Sequence, residues 1–445
     1  MRFTQSSKRC LIALLILIGL SSLPAQAETK AELIERVSLL EQELAAARSA
    51  LQVATTNETL ANERATQAEI QLTAAQDKTP TKIQIGDFTI GGAIRANYVI
   101  GDYPNSNGPS RGGDGGNFEL DTFRINIDYV NGPVIGKAEY RFYDGYNFLH
   151  TGWLGYNFED DKQVQVGLNR VPFGPSPYGV SQSWFFDQHY YVGLADDMDL
   201  GIKYTTHPGD WTIDLAYYYS AEWQGRGSSR DSARYSYDVV DETGNGYEER
   251  NQFNLRAIYS TTLGEVDADL GTSLQAGQLQ SNGDQDDGEL YAGSLHAIFQ
   301  WNNWKLTPQI TYYKYDVSKS QVQSGDVTDE EIDLGAYNFA WPVATEAWIP
   351  AVSLSYFYET SRIDWLDSIT PYVEYSSLMK TEGSFNDSDL FILGAAWARG
   401  GWYIYTDLAF SNGNYFVGGD EFTTFGANPD NDWQSRFNIN FGYYF

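Results

Sequence analysis

From about Lys82 to Phe445 apolar and polar side chains alternate with a period of two, in short segments separated by clusters of Gly, Asn, Asp and Pro. Only an extended strand puts residues i, i+2 and i+4 on one face, so the pattern reads as a long series of hairpins with one greasy face and one polar face. The last segment is the clearest. Phe437, Ile439, Phe441, Tyr443 and Phe445 fall on one side, and Arg436, Asn438, Asn440, Gly442 and Tyr444 on the other.

A chain built this way can hide its apolar face in a dry core or turn it outward to lipid. The aromatic content, 15% with 32 Tyr and 12 Trp against 3 Met, points to lipid, because membrane barrels carry interfacial girdles of Tyr and Trp. The expected fold class is therefore all-β: a transmembrane antiparallel barrel, with apolar residues toward lipid and polar ones toward a lumen. A terminal strand of alternating aromatics closing on Phe resembles the signal by which outer-membrane proteins are recognised for barrel insertion.

The segments before Lys82 follow other periods. Arg2, Lys8 and Arg9, the apolar run Leu11 to Leu20, and Ala25-Gln26-Ala27 have the order of a cleaved signal peptide, expected over residues 1–27. The run is too short for a membrane helix, which needs roughly 20 apolar residues. Residues 28–78 lack Gly and Pro up to the boundary at Asp77-Lys78-Thr79-Pro80. Leu33, Val37, Leu40, Leu44, Ala47, Leu51 and Ala54, then Ala61, Ala65, Ala68, Leu72 and Ala75, follow alternating steps of four and three, broken at Glu58. That heptad predicts an N-terminal α-helical coiled coil. Its Ala-rich seam would bury too little alone, so partners are expected: a periplasmic trimeric helix reaching about 75 Å. The barrel is then expected over residues 79–445.

Turn lengths constrain the strand number. Asn131-Gly132-Pro133, Glu159 to Lys162, His207 to Asp210, Thr262 to Glu265 and Trp301 to Trp304 make one set of short turns. Long loops near 101–117, 170–197, 221–248 and 280–288 alternate with them. About seventeen segments look strand-like, but single-chain bacterial barrels have even numbers, with short turns on the periplasmic side. Demoting Ile332 to Phe339, so that 318–347 is one loop and Gly413 to Asp432 another, leaves about sixteen strands, a size with room for an aqueous channel.

Alternation also nominates inward charges. Arg95, Arg124, Lys137, Arg141 and Arg436 should line adjacent strands of one wall once the last strand pairs with the first; Lys203 and Arg256 are expected as further basic pore-lining positions. Arg170, Asp187, Asp196 and Asp197 belong to the longest early connection. Folded inward as a constriction, its acids would oppose the basic wall and set a transverse field across the pore. The rival reading is that these cations pair with Asp128 and Glu139 and merely fill the lumen.

Several chemistries find no support. Cys10 is the only cysteine and lies within the expected signal peptide, which leaves no thiol for catalysis, disulfide or metal. With 29 Lys and Arg against 59 Asp and Glu, the bulk charge opposes nucleic-acid binding. Asn282 to Gly288 lacks the Gly and Glu positions of a calcium loop. His150, His189, His207 and His296 have no metal-ligand spacing and are expected as surface residues, so neither metal, cofactor nor catalytic residue is assigned. A barrel enzyme would need a Ser/His or Asp/His constellation.

Gly167-Leu168-Asn169-Arg170-Val171-Pro172-Phe173-Gly174, Thr370-Pro371-Tyr372-Val373-Glu374-Tyr375, the heptads and the terminal Phe together resemble the phosphate-selective porin family. The resemblance implies a trimeric sixteen-stranded barrel with an infolded third loop, a ladder of lumenal arginines and a constriction lysine. Arg95, Arg124, Arg141 and Arg436 match such a ladder, whereas no Lys lies between Val171 and Asp199, and Asp214, Asp267, Asp269 and Asp407 occupy inward positions. The expected function is passive diffusion of small hydrophilic solutes or ions, phosphate-like anions among them, through a water-filled homotrimer. Its surroundings would be outer-membrane lipid and lipopolysaccharide, with peptidoglycan as a partner of the coiled coil. The alternative is structural: a protein tethering the outer membrane to the cell wall.

Overall fold

The computed structural model describes residues 82–445 except 102–115, 144, 159–160, 224–231, 233, 361, 364 and 419–421. The expected signal peptide and coiled coil lie outside the described residues. The main sheet has 18 strands. Two, Ile83–Ile85 and Tyr358–Glu359, are short flanking pieces, which leaves sixteen staves.

The first eight are β1 (Phe88–Gly101), β2 (Asn117–Asn131), β3 (Val134–Phe142), β4 (Asn147–Phe158), β5 (Lys162–Arg170), β6 (Met198–Thr206), β7 (Trp211–Ala221) and β8 (Tyr247–Leu263). The second eight are β9 (Val266–Ser281), β10 (Gly288–Trp301), β11 (Trp304–Asp316), β12 (Glu346–Tyr356), β13 (Ser368–Lys380), β14 (Ser388–Arg399), β15 (Trp402–Ser411) and β16 (Gln434–Tyr444). Each pairs antiparallel with its chain neighbour, and β16 pairs with β1 from Ala93↔Tyr444 to Gly101↔Arg436. The sheet therefore closes and exposes no edge. Phe445 finishes the seam: its N–H donates to Gly92 O (3.0 Å) and its carbonyl accepts from Gly92 N (2.8 Å). A Cβ at Gly92 would stand 2.4 Å from the Arg124 carbonyl and 2.9 Å from the Phe445 ring, so no side chain fits where the seam closes.

The alternation maps onto outside and inside. Ile94, Ile125, Leu154, Val166, Leu274, Leu295, Leu393 and Phe441 are all exposed on the outer face, a belt that hydrocarbon accepts and water does not. Aromatic pairs gather at the short-turn rim: Phe88 with Tyr129, Trp211 with Tyr259, Trp301 with Trp304, Trp304 with Tyr356 and Trp402 with Tyr443. Tyr140 with Phe142 and Tyr312 with Trp348 lie toward the other rim. The two-residue turns β2–β3, β8–β9, β10–β11 and β14–β15 begin on Gly132, Gly264, Asn302 and Gly400, all at positive φ, the conformation that two-residue hairpins demand.

Removing Ile332 to Phe339 from the staves agrees with the structure, but that segment is not simple loop. Glu331–Ala336 and Phe339–Ala344 form a hairpin, and Leu334↔Val239 and Gly335↔Asp238 join it to the connection 222–246. These residues are buried nearly throughout, so two-faced burial replaces the alternation that marks a stave.

Candidate functional site

The connection Val171 to Asp197 crosses the lumen. From its start at β5, Gly174 N donates to Ser273 Oγ on β9 (3.0 Å), and Ser181 Oγ and Gln182 N donate to the Glu374 carboxylate on β13 (2.6 and 2.5 Å). Trp184 N then donates to Asp407 on β15 (2.9 Å) and Gln188 N to Ser376 Oγ on β13 (3.1 Å). Each of these wall groups is a buried inward residue of its strand. Four of the loop's backbone donors, Gly174, Gln182, Trp184 and Gln188, are thus satisfied by wall side chains and others within the loop itself, as burial away from water requires.

Its return leg holds an arrangement with the outline of a catalytic relay. Asp187 Oδ1 meets His189 Nδ1 at 2.8 Å, and His189 Nε2 meets Thr311 Oγ1 at 2.8 Å. Thr311 is fully buried and donates onward to Ser294 Oγ (3.0 Å). A hydroxyl closed off in this way meets no substrate, and the relay fastens the loop to β11. The expectation of surface histidines is corrected here: His150, His189 and His296 are buried, and His207, between β6 and β7, is half-buried and faces Asp161 O at 3.0 Å. Polar partners inside the barrel made burial affordable, a circumstance invisible in the spacing.

On the opposite wall the predicted cations stand on neighbouring strands. Arg124 and Arg141 are cross-strand partners, and Glu139 lies between them, 2.5 Å from Arg141 Nε and 3.6 Å from Arg124 Nη1. Arg95 meets Asp121 at 2.8 Å. Strict alternation would turn Asp121 outward, but a register shift opposite Arg95/Ala96 brings both Asp121 and Thr122 inside, a bulge that sequence periodicity does not reveal. A second shift opposite Glu139/Tyr140 does the same for His150. Arg436 donates to Phe416 O (2.9 Å) in the connection after β15.

Toward the short-turn rim the inner face is more open. Lys137 and Asp128, 4.0 Å apart, keep 33% and 43% of their side chains exposed. Lys203 Nζ donates to Arg170 O (2.8 Å), and Arg256 meets Asp214 at 2.7 Å. At this end Lys137 and Asp128 thus stay in contact with solvent, whereas the wall residues that meet the loop are buried.

The expected constriction residues do not form one acidic row facing the basic wall. Arg170 pairs with Asp196 at 2.8 Å. Asp196 also accepts from Tyr235 Oη, and the Tyr235 ring lies 4.5 Å from the Arg141 guanidinium. Asp187 turns back into its own loop and accepts from Val180 N (2.7 Å). Asp197 stands with Asp199 and Asp238. Burial explains the dispersal, since a carboxylate removed from water needs a local partner more than a distant field. Burial, reinforced by Asp199, pushes the Asp197 carboxyl well above its usual range. Burial and then Asp238 push Glu222 up to about 8. Asp199, Glu222, Asp238 and Tyr235 were not singled out from the sequence. The Asp197, Asp199 pair at i, i+2 was its one legible sign.

Across the long-loop rim the connections meet in an aromatic cluster. Tyr191 stacks on Phe416 (5.2 Å) and Phe425 (5.3 Å), and Trp341 packs against Tyr237 (4.8 Å) and Phe416 (5.3 Å).

Solved structures share this architecture. The outer membrane channel DcaP of Acinetobacter baumannii superposes with a TM-score of 0.53 at 14% identity, covering 82% of this chain and 100% of that one. OmpF of Salmonella typhi, in complex with daunomycin, gives 0.50 at 11% identity, covering 82% and 100%. The fold is that of an outer-membrane channel barrel. No protein-family profile and no curated protein matches the chain, so the likeness is one of architecture.

Proposed function

We propose that the chain is an outer-membrane porin of a Gram-negative bacterium, through which small hydrophilic solutes and ions diffuse passively. The observation that carries this reading is a closed sixteen-stranded barrel, greasy outside and charged inside, with the loop Val171 to Asp197 anchored across its lumen. An aqueous path edged by fixed charges selects by size and sign without chemistry. The short-turn rim faces the periplasm and the long loops face outward among lipid and lipopolysaccharide. The active form is a homotrimer, with residues 1–27 removed and residues 28–78 as its periplasmic coiled coil.

The cations Arg95, Arg124, Lys137, Arg141, Lys203, Arg256 and Arg436, with Arg170 at the neck of the loop, favour anions, phosphate-like ones included. Refolded protein in a planar bilayer is expected to conduct in triplet steps, with a reversal potential on the anion-selective side under a salt gradient. Folded protein that inserts and passes no current would overturn the proposal.

A further inference from the structure

One cluster serves neither the loop anchor nor the basic wall. Asp197 ends the inward loop, Asp199 is the second residue of β6, and Asp238 comes from the connection 222–246; one oxygen from each lies within 4.8 Å of the others, and all three residues are buried. Sequence brings the first two together, because i and i+2 share a strand face. Asp196 between the loop and this pair takes φ 49°, which sends its own carboxylate to Arg170 instead. The third acid arrives only through the pairing of Asp238 with Gly335.

These carboxylates are under-supplied with donors. Oδ1 of Asp197 and Oδ1 of Asp199 are buried without a hydrogen bond, and Asp238, short of a close donor, has only the Arg234 guanidinium and Asp197 beside it. Asp199 Oδ2 takes one, from Gln252 Nε2 at 3.1 Å, and Arg234 Nη1 stands 3.5 Å from Asp238 Oδ2. Two further buried acids flank the trio. Glu222 is fully occupied, accepting from the N–H groups of Tyr235 and Ser236 and from Ser236 Oγ, while Glu249 accepts from Val239 N. An ionised carboxylate held away from water costs several kcal/mol unless paired. Buried carboxylate oxygens short of donors and within 4.8 Å of one another are a set that one cation could satisfy together.

We infer that Asp197, Asp199 and Asp238 form a binding site for a hard divalent cation, calcium in the first place, which ties the end of the inward loop to the connection 222–246. The donor set is oxygen only, which suits calcium or magnesium and not the softer metals. Calcium takes six to eight oxygens at about 2.3–2.6 Å in adaptable geometry. Oxygens on opposite sides of such an ion stand about 5 Å apart, the scale of this cluster; one oxygen from each of the three acids would be completed by water to the number calcium takes.

The test uses the full chain refolded in detergent without lipopolysaccharide, which itself holds divalent ions. The protein is stripped with EDTA and titrated in physiological salt with terbium and then calcium. Wild type is expected to show one saturable terbium site per chain by tyrosine-sensitised luminescence, displaced by calcium, and a melting temperature that rises with calcium. In Asp197→Asn/Asp199→Asn that site should weaken by more than about tenfold, and in EDTA the variant should melt above wild type, because the mutual repulsion is gone. Equal terbium binding by wild type and variant, or no effect of calcium on wild type, would overturn the inference. Asp238→Asn serves in the same comparison should the double variant fail to fold. Wild-type protein that binds no terbium decides against the site on its own.

Discussion

Arg170 and Asp196 are joined by a 2.8 Å ion pair across the neck of the inward loop, one at each of its ends. Val171 N donating to Asp197 O (3.0 Å) lies beside it, so twenty-five residues of lumen-crossing chain start and finish at one clamp. Asp196 is buried and Arg170 one-fifth exposed. Removing the acid's charge takes this ion pair from the neck, and Asp196→Asn is expected to cost roughly 2–3 kcal/mol. Chemical unfolding would measure the loss, and single-channel records should become noisier as the neck loosens. Unchanged stability and noise would mean that the clamp holds nothing.

Glu374 is the loop's main anchor on the far wall, accepting from Ser181, Gln182 and, at 2.9 Å, Ser353 Oγ on β12. Glu374→Ala strands these donors at a cost of roughly 2–4 kcal/mol. Since the barrel hydrogen bonds are untouched, the protein should still fold. Its single-channel conductance is expected to rise as the loop leaves the far wall, and a conductance equal to wild type would show that the loop does not set the narrowest point.

Asp333, in the hairpin at the long-loop rim, has its carboxyl pushed up to about 7 by burial, despite a hydrogen bond from Gln323 N at 3.0 Å. A raised carboxyl means the folded hairpin holds its proton more tightly than the unfolded one. Its stability should therefore fall as pH climbs from about 4, the ordinary Asp value, through 7, and stay low above that. Trypsin cleavage at Lys319 reports the local opening. Relative to Asp333→Asn, wild type should become more susceptible between pH 6 and pH 8 (roughly one unit on either side of that value), whereas parallel curves would remove Asp333 as the cause.

Lys137 lies toward the short-turn rim with a third of its side chain exposed, so reversing it should leave the fold intact. Lys137→Glu is expected to move the reversal potential toward cations, most strongly at low ionic strength where screening is weak. A reversal potential that stays put would take Lys137 out of the conduction path.

Much of the barrel was legible because the physics behind it is local. Strand alternation has a period of two whatever the partner, so Phe437 to Phe445 announced an outer face and Arg95, Arg124, Lys137 and Arg141 an inner one. Short turns carry their own chemistry, and the parity they impose, with the demotion of Ile332 to Phe339, led to sixteen staves. The alternation failed at Asp121 and His150, where bulges insert one residue and turn an extra polar group inside. The expectation of surface histidines failed at His189 and His296 for another reason, since their partners Thr311 and Ser273 lie on other elements, β11 and β9.

By itself, then, the sequence determined the period, the faces and the approximate number of staves, because each depends on side chains a few residues apart. Only the tertiary structure decided where Val171 to Asp197 runs, that its acids separate into a clamp, a relay and a carboxylate trio, and that Asp238 joins Asp197 and Asp199. Those outcomes rest on contacts between residues dozens to hundreds of positions apart, made when closure of β16 on β1 forces the loops to share one enclosed space.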